Sequence, residues 1–432
     1  MNVRIVKPVQ GGVIGAIASK SAAHRLLICA SLADNETFVR CQERSQDIDA
    51  TARCLESLGA VIRYENDGFF VTPIKKIKDM SSEDLEKERA LDCGESGSTL
   101  RFLLPVCGAL GTKARFNMEG RLPARPLTGL YEEMTAHGCT LSEQGRSPLV
   151  LGGRLKNGDY SLPGNISSQF ISGLLFALPL PEGDSTICVT GNLESRPYVD
   201  MTLDALRLFG ITVREEKKPA LAFRMTGSQT YRSPKSVQTE GDWSNAAFWL
   251  CAGAIGTGGI TCTGLDINSR QGDRAIVELL KKFGARVSVN DREVTVSPNE
   301  LKGIEIDAEN TPDLVPVLAA VASTARGETV IKGAGRLRLK ESDRLRTVAA
   351  SLSGLGADVK ETDDGLVIQG KNKLQGGEIQ SFGDHRIAMA AAVLSGACSN
   401  PVTIQNAEAV KKSYPAFFDD FHITLGGICE KE

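Results

Sequence analysis

The chain has 432 residues, long for a single hydrophobic core, so two domains are expected. Its residues are 41% hydrophobic and 24% charged, with a net charge of −3, a balance that argues against a broad nucleic-acid or membrane surface. The eleven cysteines contain no C-x-x-C pair and the four histidines no H-E-x-x-H spacing, which predicts reduced thiols in a cytoplasmic protein and no zinc site. Met1 to Pro8 lacks the apolar core of a secretory signal, and no run approaches the ~18 apolar residues of a membrane span.

In chain order, the first predicted strand is Val3 to Val6, followed by a helix that opens at Ser19-Lys20-Ser21. A phrase then recurs: an amphipathic helical run, a Gly beside small residues, and an alternating segment. Its glycines are Gly59, Gly138, Gly210, Gly284, Gly356 and, more weakly, Gly426, with gaps of 79, 72, 74, 72 and 70 residues. Glycine just past a helix adopts the left-handed cap without a Cβ penalty. Segments such as Arg286 to Val289 and Asp358 to Lys360 alternate as half-buried strands do. Asn290-Asp291 and Asp363-Asp364-Gly365 supply turns before Val294 to Val296 and Leu366 to Ile368. A period of this length suits a βαβαββ unit rather than a short solenoid repeat.

Six such units divide into two groups of three, predicting an α/β protein of two domains. One spans 20–239; the other joins 1–19 to 240–432, with Val3 to Val6 completing the truncated sixth unit. The crossings near residues 20 and 240 are then the two hinge strands.

Cationic residues recur beside Gly and Ser at the connections. Lys20, Ser21 and Arg25 open the first helix; Gly94 to Arg101 is a Gly/Ser turn entering another, suited to an anion. Arg125 lies between Pro123 and Pro126. Ser167-Ser168-Gln169 precedes an apolar helix, and Ser195-Arg196-Pro197-Tyr198 has similar character. The second domain supplies Thr311-Pro312-Asp313, Lys340-Glu341-Ser342-Asp343-Arg344, Asp384-His385-Arg386 and Lys412-Ser413-Tyr414-Pro415. Each cluster alone reads equally as a helix cap or a surface ion-pair face. Together they fit two strongly anionic small molecules in an interdomain cleft, with carboxylates available as acid and base.

In these motifs the chain resembles, over nearly its whole length, the EPSP synthase (3-phosphoshikimate 1-carboxyvinyltransferase) family. The most specific are Ser19-Lys20-Ser21 with Arg25, Ser167-Ser168-Gln169-Phe170, Lys340-Glu341-x-Asp343-Arg344 and Asp384-His385-Arg386. The resemblance implies a two-domain inverse α/β barrel of six βαβαββ repeats, three per domain. It implies transfer of the enolpyruvyl group of phosphoenolpyruvate to the 5-hydroxyl of 3-phosphoshikimate, releasing inorganic phosphate in chorismate and aromatic amino-acid biosynthesis. No metal or organic cofactor is expected, and neither a nucleic-acid nor a membrane partner; a cytoplasmic monomer is.

By the same resemblance, Lys20, Ser21, Arg25, Ser167, Ser168, Gln169, Ser195, Tyr198, Asp313 and Lys340 would bind 3-phosphoshikimate. Lys20, Gly97, Arg125, Gln169, Arg344, Arg386 and Lys412 would hold phosphoenolpyruvate. Asp313 would accept the hydroxyl proton, Glu341 would protonate the methylene carbon, and Lys20 and His385 would assist. Three positions depart from the family pattern. Ile17-Ala18 replaces the usual Pro-Gly, which stiffens the crossing. Glu95 to Ser98 replaces the usual Asn-x-Gly-Thr and adds a carboxylate, and Arg336 replaces a frequent Asn. The related UDP-N-acetylglucosamine enolpyruvyl transferases typically carry a loop Cys near the arginine, whereas Gly120 to Arg125 has none. A non-catalytic scaffold on the same fold would leave Asp313, Glu341, Lys20 and Arg386 without a reason to occur together.

Overall fold

A computed structural model of the protein describes residues 1–75 and 87–431. All six repeating glycines have positive φ, from 68° at Gly426 to 105° at Gly59, so each ends its helical run as a left-handed cap. The first five are each followed by two antiparallel strands, and Gly426 by one, Ile428–Lys431. After Gly59, for example, Val61–Glu65 pairs with Gly68–Thr72 through Asn66 and Asp67, both at positive φ, the geometry that a two-residue hairpin requires.

Among the described residues the strands form six four-stranded sheets of one topology. In the sheet of Arg89–Asp92, Ala114–Asn117, Cys139–Leu141 and Leu149–Gly153, the first two strands run parallel around a crossover helix. The fourth lies antiparallel between the second and third. This is the βαβαββ unit read from the glycine period.

The chain divides into two compact lobes, Lys20–Thr239 and Met1–Ser19 with Glu240–Glu432, each holding three of the sheets. Three sheets are closed by strands distant in sequence. Ser236–Gln238 lies parallel to Thr37–Arg40, and Gly12–Gly15 lies parallel to Ile260–Thr263. Val3–Lys7 sits between Val402–Gln405 and Ile428–Lys431, so the N-terminal strand completes the sixth unit. That unit differs from the others: a three-residue helix, Phe417–Asp419, and a π turn, Asp420–Thr424, replace its second helix. Ile423, Thr424 and the pair Gly426-Gly427 are poor helix formers, which accounts for the shortening.

Two kinds of helix alternate along the chain. Helices before the glycine caps, such as Gln46–Ser57 and Ile276–Phe283, keep one polar face. The others are apolar nearly all round and form the cores. Val315–Ala322 and His385–Leu394 bury every residue, and Ser168–Ala177 buries nine of ten. At the crossing, Ser19 donates its backbone N–H to Glu240 and Asp242 donates to Ile17, both at 2.8 Å. No helix among the described residues is long and apolar enough to cross a membrane.

Candidate active site

The core helices start at the residues singled out by the sequence. In the Lys20–Thr239 lobe, Lys20 opens Lys20–Ser31, Gly97 opens Gly97–Leu110 and Ser168 opens Ser168–Ala177. Ser96 caps the second helix by accepting from Thr99 N–H, and Ser167 caps the third by accepting from Gln169 N–H. Helix starts leave backbone N–H groups without intrahelical partners, and the dipole favours anions there. Ser195 stands before Arg196–Leu208 at φ 53°, buried and without a side-chain capping bond.

Three groupings result. Lys20 Nζ meets Asp47 Oδ2 at 2.8 Å, with both side chains 15% exposed. Arg25, 2% exposed, donates from Nε to Thr202 Oγ1 at 2.9 Å, and to the carbonyls of Ser21 and Tyr198 at 2.7 and 2.8 Å. Burial pulls its pKa down to about 10. These bonds bring Ser21, Arg25 and Tyr198 together. In the third grouping, Gln169 accepts from Arg101 at 3.1 Å and donates to Ser98 Oγ at 2.9 Å. A methyl on Gly97 would lie 2.7 Å from guanidinium nitrogens of both Arg101 and Arg125. Gly97 is therefore the gap that lets two arginines approach the helix start. The Glu95 carboxylate packs against Gly120, which has no side chain to exclude it.

In the other lobe the grouping is ionic. Arg344, 2% exposed, donates to Asp313 Oδ1 at 2.8 Å, Glu341 Oε2 at 2.7 Å and Asp384 Oδ2 at 2.8 Å. Arg386 meets Asp313 Oδ2 at 3.1 Å and donates to the Asp313 carbonyl at 3.1 Å. Lys340 Nζ lies 4.0 Å from Asp313 Oδ1. Burial pushes the Asp313 carboxyl up, but Arg386, Lys340 and Arg344 overcome it and hold it well below the usual carboxylate range. Local structure aids this convergence: Asp343 and Asp384 cap the helices that begin at Arg344 and His385. Lys412 Nζ donates to the Gly383 carbonyl at 2.7 Å, beside the same cap. His385 is 2% exposed, with Nδ1 3.8 Å from Asp384 Oδ1. Arg336 donates to the Glu309 carbonyl at 2.7 Å.

Several members were not singled out from sequence. Asp47 is the partner of Lys20; its only local signal is an acidic first turn shared with Asp49. Arg101 lies in a quoted motif, but nothing local shows that it reaches Gln169. Asp273 is 1% exposed and accepts from Ser244, and burial, with Asp313, pushes its pKa up to about 7.

Six βαβαββ units whose core helices open on cations, hydroxyls and carboxylates define an enzyme of small anionic substrates. The family model of EPSP synthase (3-phosphoshikimate 1-carboxyvinyltransferase) matches residues 3–421, and the chain belongs to that family. A protein of Clostridium kluyveri named 3-phosphoshikimate 1-carboxyvinyltransferase is 46% identical over 410 residues, which cover 95% of this chain and 93% of that one. The solved EPSP synthase of Acinetobacter baumannii superposes with a TM-score of 0.80 at 26% identity, covering 100% of both chains. The enolpyruvyl transferase NikO of Streptomyces tendae shares the fold, with a TM-score of 0.77 at 18% identity, covering 99% of this chain and 98% of that one.

Proposed function

We propose how the two groups of residues divide the work of the family's reaction, in which phosphoenolpyruvate and 3-phosphoshikimate give 5-enolpyruvylshikimate 3-phosphate and inorganic phosphate. The observation that carries the proposal is the convergence of Arg344, Arg386 and Lys340 on Asp313, with Glu341 on the same guanidinium.

Glu341 gives a proton to C3 of phosphoenolpyruvate, and cationic character develops at C2. The 5-hydroxyl oxygen attacks C2 while Asp313 takes its proton. The C2–O bond to phosphate then breaks with its electron pair leaving on phosphate, which carries away the proton held by Asp313. A C3 proton returns to the Glu341 carboxylate and the enolpyruvyl double bond forms again. Asp313 is ionised and so has a lone pair for the proton, but the cations that keep it ionised also weaken it as a base. Acceptance therefore requires Arg344 and Arg386 to turn toward the arriving anions. Delivery from Glu341 requires Arg344 to release it, and an anion arriving at Arg344 or Arg386 supplies a competing partner. Two anionic substrates repel each other, so the cations neutralise as well as orient.

Lys20, Ser21, Arg25, Ser167, Ser168, Gln169, Ser195 and Tyr198 bind 3-phosphoshikimate with Asp313 and Lys340. Lys20, Gly97, Arg125, Gln169, Arg344, Arg386 and Lys412 hold phosphoenolpyruvate. His385, buried against Asp384, assists Glu341 in this scheme. The start of Gly97–Leu110, with Arg101 and Arg125 close by, supports an anion there.

The setting proposed is the cytoplasm, supported by eleven free thiols of which none is exposed. A monomer is the proposed working form, which light scattering tests. The reaction is tested by following phosphate release. Turnover is expected with both substrates together and absent with a UDP-sugar in place of 3-phosphoshikimate. Activity of Glu341→Ala near that of the wild type would remove Glu341 from the scheme.

A further inference from the structure

Four buried side chains with no part in that scheme form a continuous hydrogen-bond chain within the Lys20–Thr239 lobe. His24 Nδ1 lies 2.7 Å from Thr51 Oγ1, which lies 2.7 Å from Thr99 Oγ1, which donates to Ser96 Oγ at 2.7 Å. All four residues are at most 1% exposed. The chain connects three helices: Lys20–Ser31, Gln46–Ser57 and Gly97–Leu110.

Its direction follows from counting hydrogens. A hydroxyl carries one, and Thr99 gives its own to Ser96. Thr99 must then accept from Thr51, which leaves Thr51 only a lone pair for His24. The imidazole therefore donates from Nδ1 and carries a bare Nε2, an atom that no described residue reaches with a hydrogen bond. A second ring proton is opposed by burial and by the charges of Lys20 and Arg25, which hold the His24 pKa well below its usual value. The ring is fixed further by edge-on contact with Phe102, at 6.4 Å between centroids and 83°. At the other end, Ser96 accepts from both the hydroxyl and the backbone N–H of Thr99, so the chain terminates on the residue that caps the Gly97 helix.

We propose that His24 is a positioning residue of the transfer reaction. Through Thr51 and Thr99 it holds Ser96, and with it the Gly97 helix start, in register with Lys20 one turn away on its own helix. This rests on the reading above that Lys20 and Gly97 face phosphoenolpyruvate. The chain matters because the anion must meet Lys20 and the amides near Gly97 together, and small misplacements of binding groups are costly. Nothing in the chain touches substrate, so its effect is on geometry.

Thr51→Val keeps the shape and removes the central hydroxyl. The expected result is a rise of about tenfold in KM for phosphoenolpyruvate, with KM for 3-phosphoshikimate within about twofold and kcat within about threefold. Thr51→Ser, which restores the hydroxyl, should return KM to within about twofold of the wild type. A Thr51→Val protein that loses thermal stability but keeps the wild-type KM for phosphoenolpyruvate would reduce the chain to a structural role and overturn the proposal. Should that variant not fold, His24→Leu against His24→Asn makes the same comparison, since only Asn keeps a side-chain donor. Nitrogen-resolved NMR of the wild-type imidazole gives an independent reading. The proton is expected on Nδ1, and a proton on Nε2 would sink the proposal whatever the enzyme's activity. Failure of the wild type to release phosphate, by contrast, would count against the reaction scheme, with the tautomer still deciding the direction of the chain.

Discussion

The two groups of site residues hold their charges by different means. In the Lys20–Thr239 lobe, apart from the single Lys20–Asp47 pair, the partners are neutral: Arg25 is bonded to one hydroxyl and two carbonyls, and Gln169, Ser98 and the helix caps carry no charge. In the other lobe, Arg344 is shared among three carboxylates, and Asp313 among three cations. Neutral hydrogen bonds are modest and separable, so the first group should lose function in small steps. Buried charges stabilise one another only as a set, so the second should fail abruptly.

The largest expected effect is on the chemistry. Glu341→Gln keeps the shape but delivers no proton and should lower kcat by about 10²–10⁴, whereas Ser168→Ala should lower kcat/KM by about tenfold at most. Steady-state phosphate release compares them directly, and equal losses would erase the contrast between the two groups. Next comes stability: Arg344→Met removes a buried cation shared by three carboxylates and should cost ~3–5 kcal/mol, against ~1–3 kcal/mol for Arg25→Met. Urea unfolding measures both, and a reversed order would contradict the distinction. Smaller again is Gly97→Ala. Its methyl must displace both Arg101 and Arg125, so KM for phosphoenolpyruvate should rise about tenfold while the melting temperature stays nearly unchanged.

The subtlest test lies within the ionic group, where two carboxyls are driven in opposite directions. Asp313 is held below its unfolded value, so its contribution to stability is present above about pH 4 and is lost as pH falls toward the depressed folded value. Asp273, raised to about 7, behaves oppositely. Its contribution is complete below the unfolded value near 4 and disappears as pH climbs through 7. Asp273→Asn should therefore flatten the decline in stability between about pH 4 and 7, and Asp313→Asn the decline below about pH 4. Unfolding free energy across that range checks both signs.

Much of the fold was legible because its punctuation is local. A glycine ending a helix needs only the preceding turn and the following strand to be recognised, and all six behaved alike. The return of Val3–Lys7 into the sixth sheet could be anticipated because that unit lacked a strand. The shortened second helix of the sixth unit was visible only as a weaker phrase. At the site, helix starts could be read from Ser, Gly and flanking charge. Partners could not: Lys20 finds Asp47 27 residues away, and Arg344 finds Asp384 40 residues away, pairings created by tertiary packing alone. The roles of the individual side chains came from family likeness, since spacing offers no sign that Arg344 collects three carboxylates.

The most direct measurement is single-turnover phosphate release by the purified protein, with product carbon followed by NMR. Phosphoenolpyruvate and 3-phosphoshikimate together should yield one phosphate per enolpyruvyl ether formed at the 5-oxygen, and either compound alone should yield none. Phosphate freed from phosphoenolpyruvate at the same rate without 3-phosphoshikimate, or no ether at that oxygen, would contradict the account.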